Sequence, residues 1–250
     1  MITEELALHR LKMLQVLLKS RNEYLQMQWI EQSVKLENLE LEICFPLQDD
    51  FYIGDPNDHQ QLQDERYYKT LELPKFQRVV EVMARSGEAF EHQQELATYY
   101  QTIVEEAELL KKSFEQIRHY FWLRLWIWNT PNNIHISFPW YDSLSEIQKF
   151  FAWIKTPSDK AFIDMDQGWQ IEAIQTQDAI HIRQTDPDFD EELANIAVPK
   201  QPFVELVSQV EARTQRIIDN LSRTLGADVW SQYQNEVHFG TPTWSPKTTK

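Results

Sequence analysis

The sequence predicts an α+β fold, with an N-terminal helical region packed on an antiparallel sheet and a long C-terminal amphipathic helix. Three observations lead there. Apolar residues recur at helical spacing up to about residue 119, they alternate at strand spacing over most of 120–185, and they return to one helical face over 202–225. These changes of period divide the chain into an α-rich region 1–119, a sheet-plus-helix region 120–234 and a tail 235–250, a division compatible with one continuous domain.

Over 3–32, Leu6, Leu11, Leu14, Val16, Leu18, Leu25 and Ile30 follow three- and four-residue steps, which predicts one long helix, or two with a break near Ser20, with Thr3 as the N-cap. Leu39, Leu41, Ile43 and Phe45 then alternate with Glu40, Glu42 and Cys44, which is a half-buried strand ended by Pro46. The stretch 49–61, with Gly54-Asp55-Pro56-Asn57, is expected to be a loop. Pro74 is expected to open a helix through Phe76, Val79, Val80 and Met83 that Ser86-Gly87 ends or bends. A further helix is expected from Phe90 to about His119, with Glu108 and Lys112 paired one turn apart.

After His119, Phe121, Leu123, Leu125 and Ile127 alternate with Trp122, Arg124, Trp126 and Trp128. The turn residues 129–133 precede a second alternation in Ile134, Ile136 and Phe138, which completes a β-hairpin. Ser143 and Glu146 stand at capping-box spacing before a short helix over 143–154. Segments 161–166, 169–175 and 179–185 read as a three-strand meander with turns at Gln167-Gly168 and Gln177-Asp178. The helix 202–225 places Phe203, Val207, Val210, Thr214, Ile217, Leu221 and Leu225 on one face. Pro202 stands at its start and Gly226 at its stop. No internal repeat is evident.

Composition narrows the function classes. With 39 Asp and Glu against 24 Lys and Arg, the net charge is -15, which repels phosphates and disfavours direct nucleic-acid binding. Nine Trp, nine Tyr and thirteen Phe supply a core, so the charge belongs to the surface rather than to disorder. Cys44 is the single cysteine, which excludes an intramolecular disulfide and a Cys-based zinc site and suits a reducing compartment. The acidic start lacks the pattern of a secretory signal, and the most apolar run, 120–128, is about half the roughly 20 residues of a spanning helix. A cytoplasmic protein without membrane contact is expected.

Five glycines leave no GxxxxGK[ST], GxGxxG or GxSxG, so no phosphate loop or nucleophile elbow is written in the chain. The carboxylate series starting at Asp164 and Asp186 are spaced like calcium loops, but position twelve falls on Gln175 and Ala197, and Glu191 occupies the glycine position of the second. Glu88 with His92, and Glu115 with His119, are four apart rather than the three of di-iron bundles. His135 and His181 fall singly on strands. No catalytic residue, cofactor or metal ligand is therefore assigned, and an uncharacterised hydrolase is the third-ranked reading.

Two features suit a protein partner. Asp186, Asp188, Asp190, Glu191 and Glu192 crowd seven residues into a negative loop that a basic surface would complement. On the hairpin, Tyr120, Trp122, Trp126 and Trp128 are expected to share a face with Arg124, and Trp122, Arg124 and Trp126 are the candidate anchors because such residues dominate interface hot spots. Core packing is the competing role for the indoles.

The order Gly168-Trp169 opening a strand, the 179–182 strand, the acidic Asp186-Pro187-Asp188 loop, the 196–198 strand and a long helix before Asp228-Val229-Trp230 resembles bacterial immunity proteins of polymorphic toxin systems. The resemblance covers about 150–230 and carries over no functional residue. It implies a protein that binds a cognate toxin domain and neutralises it by occlusion. The alternative is an adaptor or chaperone for a secreted effector.

Overall fold

The computed structural model describes residues 28–55, 58–138, 144–166 and 168–230. It is an α+β fold of two compact units. One takes Met1–Asn38 and Ser158–Gln201, the other Leu39–Pro157 and Pro202–Lys250. The helix expected over 3–32 falls outside the described residues except for its last turn, 28–32, which is helical. The tail beyond residue 230 and Ser143 also lie outside them.

The first unit is a five-stranded sheet. Strand β1 (Val34–Lys35) lies beside β11 (Glu191–Pro199), followed by β10 (Ala179–Asp186), β9 (Trp169–Gln175) and β8 (Phe162–Asp166). The meander 161–185 is present with the expected neighbours, while β1 pairs in parallel with β11 and makes the sheet mixed. Ile171, Ala173, Ile180, Ile182, Ile196 and Val198 are buried on one face. The expected acidic loop 186–192 is shorter than the sequence suggests. Asp186 pairs with Glu191 and Thr185 with Glu192, so both glutamates belong to β11 and only 187–190 turn.

The second unit holds a four-stranded sheet in the order β5 (Met83–Arg85), β2 (Glu40–Pro46), β6 (Arg124–Asn129), β7 (Ile134–Ser137). The strand at 40–46 and the hairpin at 124–137 stand where alternation placed them, and β2 pairs with β6. Leu41, Ile43, Phe45, Leu125, Ile127 and Ile136 are buried on one face. Phe45 meets an aromatic group in which Trp230 packs edge-on to Tyr100 and Phe121.

Among the described residues are the helices α1 (Ser86–Glu91), α2 (Gln93–Leu109), α3 (Phe114–Ile117), α4 (Leu144–Lys155) and α5 (Lys200–Leu225). Gly226, at φ 74°, supplies the left-handed residue that ends α5. Twice a strand runs directly into a helix: β5 into α1, and β11 into α5.

Three expectations are corrected. No helix starts at Pro74. The Arg78 guanidinium bonds the carbonyls of Pro74, Phe76 and Glu81, and the Glu88 carboxylate takes the N–H groups of Val79 and Arg85. Side chains thereby satisfy the backbone that helical bonds would have satisfied, and β5 pairs with β2. Ser86-Gly87 begins a helix instead of ending one.

The helix expected to reach His119 stops at Leu109. Lys111 adopts φ 54°, its N–H bonds the Glu108 carbonyl and the Lys112 N–H bonds the Ala107 carbonyl, which is a Schellman end with lysine where glycine is usual. Lys112 therefore leaves the helix and reaches the Gly54 carbonyl at 2.9 Å rather than Glu108.

The segment 49–61 is not all loop. Strands β3 (Asp50–Tyr52) and β4 (Tyr68–Thr70) form a small hairpin. Its entry is held from outside. The Tyr99 hydroxyl bonds both backbone groups of Gln48, and the Tyr120 hydroxyl donates to the Asp50 carbonyl and accepts from the Tyr52 N–H. Tyr120 consequently sits in a 3-10 turn (Arg118–Phe121) instead of on the expected hairpin face.

Candidate functional site

The sequence-predicted residues fall into two groups, one in each unit. The carboxylates occupy the β10–β11 turn of the first unit. Asp186 is a turn former: its Oδ1 accepts from the N–H groups of Asp188, at 3.0 Å, and Phe189, at 3.4 Å. Asp190 closes the turn in the left-handed region at φ 52°. Asp188, Asp190, Glu191 and Glu192 are exposed, and between them Phe189 is 79% exposed. The turn therefore presents an aromatic ring among carboxylates.

Trp122, Arg124 and Trp126 belong to the second unit. The β2–β6 register sets Arg124, Trp126 and Trp128 opposite Cys44, Glu42 and Glu40, on the face away from Leu125 and Ile127. Trp126 lies 5.6 Å from the Trp128 ring and 6.2 Å from His135. Arg85 sits over Trp128 at 5.7 Å, and Arg124 donates to the Phe138 carbonyl. Trp122, Arg124 and Trp126 are half-buried and Trp128 is buried. Much of this aromatic row is thus packing surface.

Two polar clusters, one buried and one half-buried, escaped the sequence reading. In the first unit, register brings Glu172, Arg183 and Asn195 into one cross-strand row with His181 on the same face. Ser33 and Trp29 meet this face from the chain before β1. Arg183 bonds Glu172 at 2.8 Å and lies over the Trp29 indole at 5.0 Å, while Trp29 meets His181 edge-on.

Hydrogen-bond bookkeeping fixes the protons. Asn195 Nδ2 faces two acceptors, the Trp29 carbonyl at 3.0 Å and Glu192 Oε2 at 3.4 Å, so the amide cannot be turned round. Its Oδ1, 2.8 Å from Ser33 Oγ, and the Trp29 carbonyl, 3.2 Å from it, are both acceptors, and the single Ser33 hydroxyl proton goes to this pair. Ser33 Oγ can only accept from His181, 3.1 Å away, and the imidazole carries its proton on Nδ1. Burial first, then the charge of Lys35, lowers the His181 pKa, which favours the neutral ring. A nucleophilic serine needs the reverse polarity, with histidine taking its proton. This Ser-His pair ties the chain to the sheet and does not activate an oxygen.

In the second unit, Glu42 on β2 accepts from the Ser86 hydroxyl, from the Gly87 N–H at 3.1 Å and from Arg213 on α5 at 2.8 Å. The Arg213 guanidinium also reaches Ser86 Oγ at 3.0 and 3.1 Å. Ser86 is fully buried. The carboxylate is enclosed by donors, leaving it a role in fastening α1 and α5 to β2.

Neither cluster has a local sequence signature. Residues 33, 181 and 195, or 42, 86 and 213, meet only once the strands are in register. The helical spacing of Trp29 and Ser33 is the one local hint.

Other reactive groups are committed elsewhere. Burial pushes the Cys44 thiol pKa upward, with Glu42 adding to it, so the thiolate nucleophile is disfavoured. His92 stacks on Phe76 at 4.6 Å and faces Glu95, while Glu88 serves the backbone as described. Among the described residues, no group of three or more His, Cys, Asp or Glu side chains is placed to hold a metal, and no helix is long and apolar enough to cross a membrane. Comparison with known protein families, curated proteins and solved structures finds no match.

Proposed function

We propose that the protein acts in the cytoplasm as a stoichiometric binder of a basic protein, and that the partner is a toxin or effector domain neutralised by occlusion, an immunity-type role. The supporting observation is the β10–β11 turn, where Phe189 stands 79% exposed among Asp188, Asp190 and Glu191. An exposed ring supplies an anchor for a pocket on the partner, and the carboxylates draw a basic surface and repel nucleic acid. The closed wiring of the Ser33–His181 and Glu42–Arg213 clusters favours binding over catalysis as the work of the chain.

The test is recovery of the bound partner and assay of its activity at equal molarity. Neutralisation predicts loss of activity at one-to-one stoichiometry, whereas a partner that stays active when bound overturns it in favour of an adaptor. The triple variant Asp188→Asn, Asp190→Asn, Glu191→Gln is expected to slow association and flatten its salt dependence. Unchanged kinetics would remove the turn from the interface.

A further inference from the structure

Strand β8 is an edge of the five-stranded sheet among the described residues. An edge strand offers a row of backbone donors and acceptors, and natural proteins usually guard it with lysine, proline, a bulge or a covering element. Phe162–Asp166 pairs with β9 without a register shift and contains neither lysine nor proline; its charged residues, Asp164 and Asp166, are both acidic, a composition that guards the edge against acidic strands but not basic ones.

Register identifies which groups point outward. Asp166 pairs with Trp169 across a two-residue connection, and such a closing pair is hydrogen-bonded in a tight hairpin. Alternation then bonds Phe162, Asp164 and Asp166 to β9 and turns the N–H and C=O of Ile163 and Met165 toward the open edge. These same two residues are 58% and 65% exposed, with their side chains on one face of the strand. The edge therefore carries two backbone donor-acceptor pairs and two aliphatic side chains in one strand-length register.

The surrounding charge indicates the occupant. Asp164 stands between the two aliphatics with its side chain on the opposite face of the strand, directly across from the alternate residue of a strand added at this edge. Asp188 Oδ2 approaches within 3.8 Å of the position a Cβ would take on Gly168, at the turn that ends β8. A second copy of this acidic chain fits poorly, because a two-fold antiparallel pairing centred on β8 sets Asp164 opposite its own copy.

The geometry points to strand addition: an extended segment of the protein partner, alternating aliphatic and basic residues, pairs with β8 as a sixth strand beside the acidic turn. This rests on the binder reading above and names how the partner engages. Main-chain bonds to Ile163 and Met165 supply the ladder, the aliphatics cover their side chains, and Lys or Arg, on the opposite face of the alternating strand, stands across from Asp164.

The experiment uses the full chain with the peptide acetyl-Lys-Val-Lys-Val-Lys-Val-amide, and reads amide hydrogen exchange residue by residue. Bound peptide is expected to slow exchange at Ile163 and Met165 at least tenfold, with Phe162 and Asp164 little changed. A peptide with proline in place of the central valine is expected to give no protection. Met165→Pro removes an outward N–H without touching the β9 ladder and is expected to abolish protection while the fold is retained. If that variant does not fold, Ile163→Lys with Met165→Lys serves by repelling the basic strand.

Saturating peptide with unprotected amides, protection that persists in the folded blocking variant, or protection in a peptide-free dimer would each overturn the proposal. The binder reading fails separately: a partner can be neutralised at one-to-one stoichiometry with the β8 amides exchanging freely, or left active with them protected.

Discussion

His181 Nδ1 lies 3.1 Å from the Ser33 hydroxyl oxygen, whose own proton faces Asn195 Oδ1 at 2.8 Å and the Trp29 carbonyl at 3.2 Å, an arrangement that calls for the imidazole as donor. The expected NMR signature is a neutral imidazole protonated on Nδ1, read from its two nitrogen shifts. A ring protonated on Nε2 would sink the wiring. Ser33→Ala leaves the His181 donor and the Asn195 acceptor without this partner, and a cost of about 1–3 kcal/mol in urea unfolding is expected.

His119 makes stability fall on acidification. Burial, reinforced by the Arg118 and Lys112 charges, lowers its pKa to about 4 from the ordinary 6.5. As pH drops through 6.5 the unfolded chain takes up a proton that the folded chain refuses until about 4, so stability is lost across that window. His181 is displaced in the same direction. Between pH 7 and pH 4.5, His119→Gln is expected to lose less unfolding free energy than the native chain, by about 2 kcal/mol. Equal losses in the two proteins would show that His119 titrates normally.

Legibility followed the range of the interactions. Strands β2, β6 and β7, the meander 162–186 and helices α4 and α5 rest on local period and turn chemistry, and the sequence shows them. The false helix at Pro74 had acceptable spacing, but Arg78 and Glu88 capture its backbone groups, and no periodicity reports that competition. Likewise the β3–β4 hairpin depends on hydroxyls from Tyr99 and Tyr120, which stand 51 and 70 residues away from Gln48 and Asp50. Of the site, the acidic turn was visible as composition, whereas Asp186's use as a turn former and the exposure of Phe189 required the fold.

The end of α2 gives a stability prediction through the backbone. Lys111 occupies a left-handed conformation at φ 54° that glycine adopts without a Cβ penalty, and its backbone bonds need no side chain. Lys111→Gly is therefore expected to stabilise the protein by about 0.5–1 kcal/mol despite glycine's greater freedom in the unfolded chain. A rise in the urea midpoint at constant slope would show it. A drop would mean that the lysine side chain contributes more than its backbone strain costs.

Glu42 and Arg213 should act as one unit, because the guanidinium bonds the carboxylate and the Ser86 hydroxyl that the carboxylate also accepts from. Their side chains are 17% and 29% exposed, so water replaces a lost partner poorly. Removing Arg213 leaves Glu42 with Ser86 and the Gly87 N–H, while removing Glu42 strands the guanidinium among groups that cannot neutralise it. Arg213→Ala and Glu42→Ala are each expected to cost about 2 kcal/mol. The double variant should cost less than the two together by at least about 1 kcal/mol, the coupling expected of residues in one hydrogen-bonded network. The cycle is measured by urea unfolding at pH 7. Additive losses would mean that each residue stabilises α1 and α5 through separate contacts, and that the three-way bond to Ser86 contributes nothing of its own.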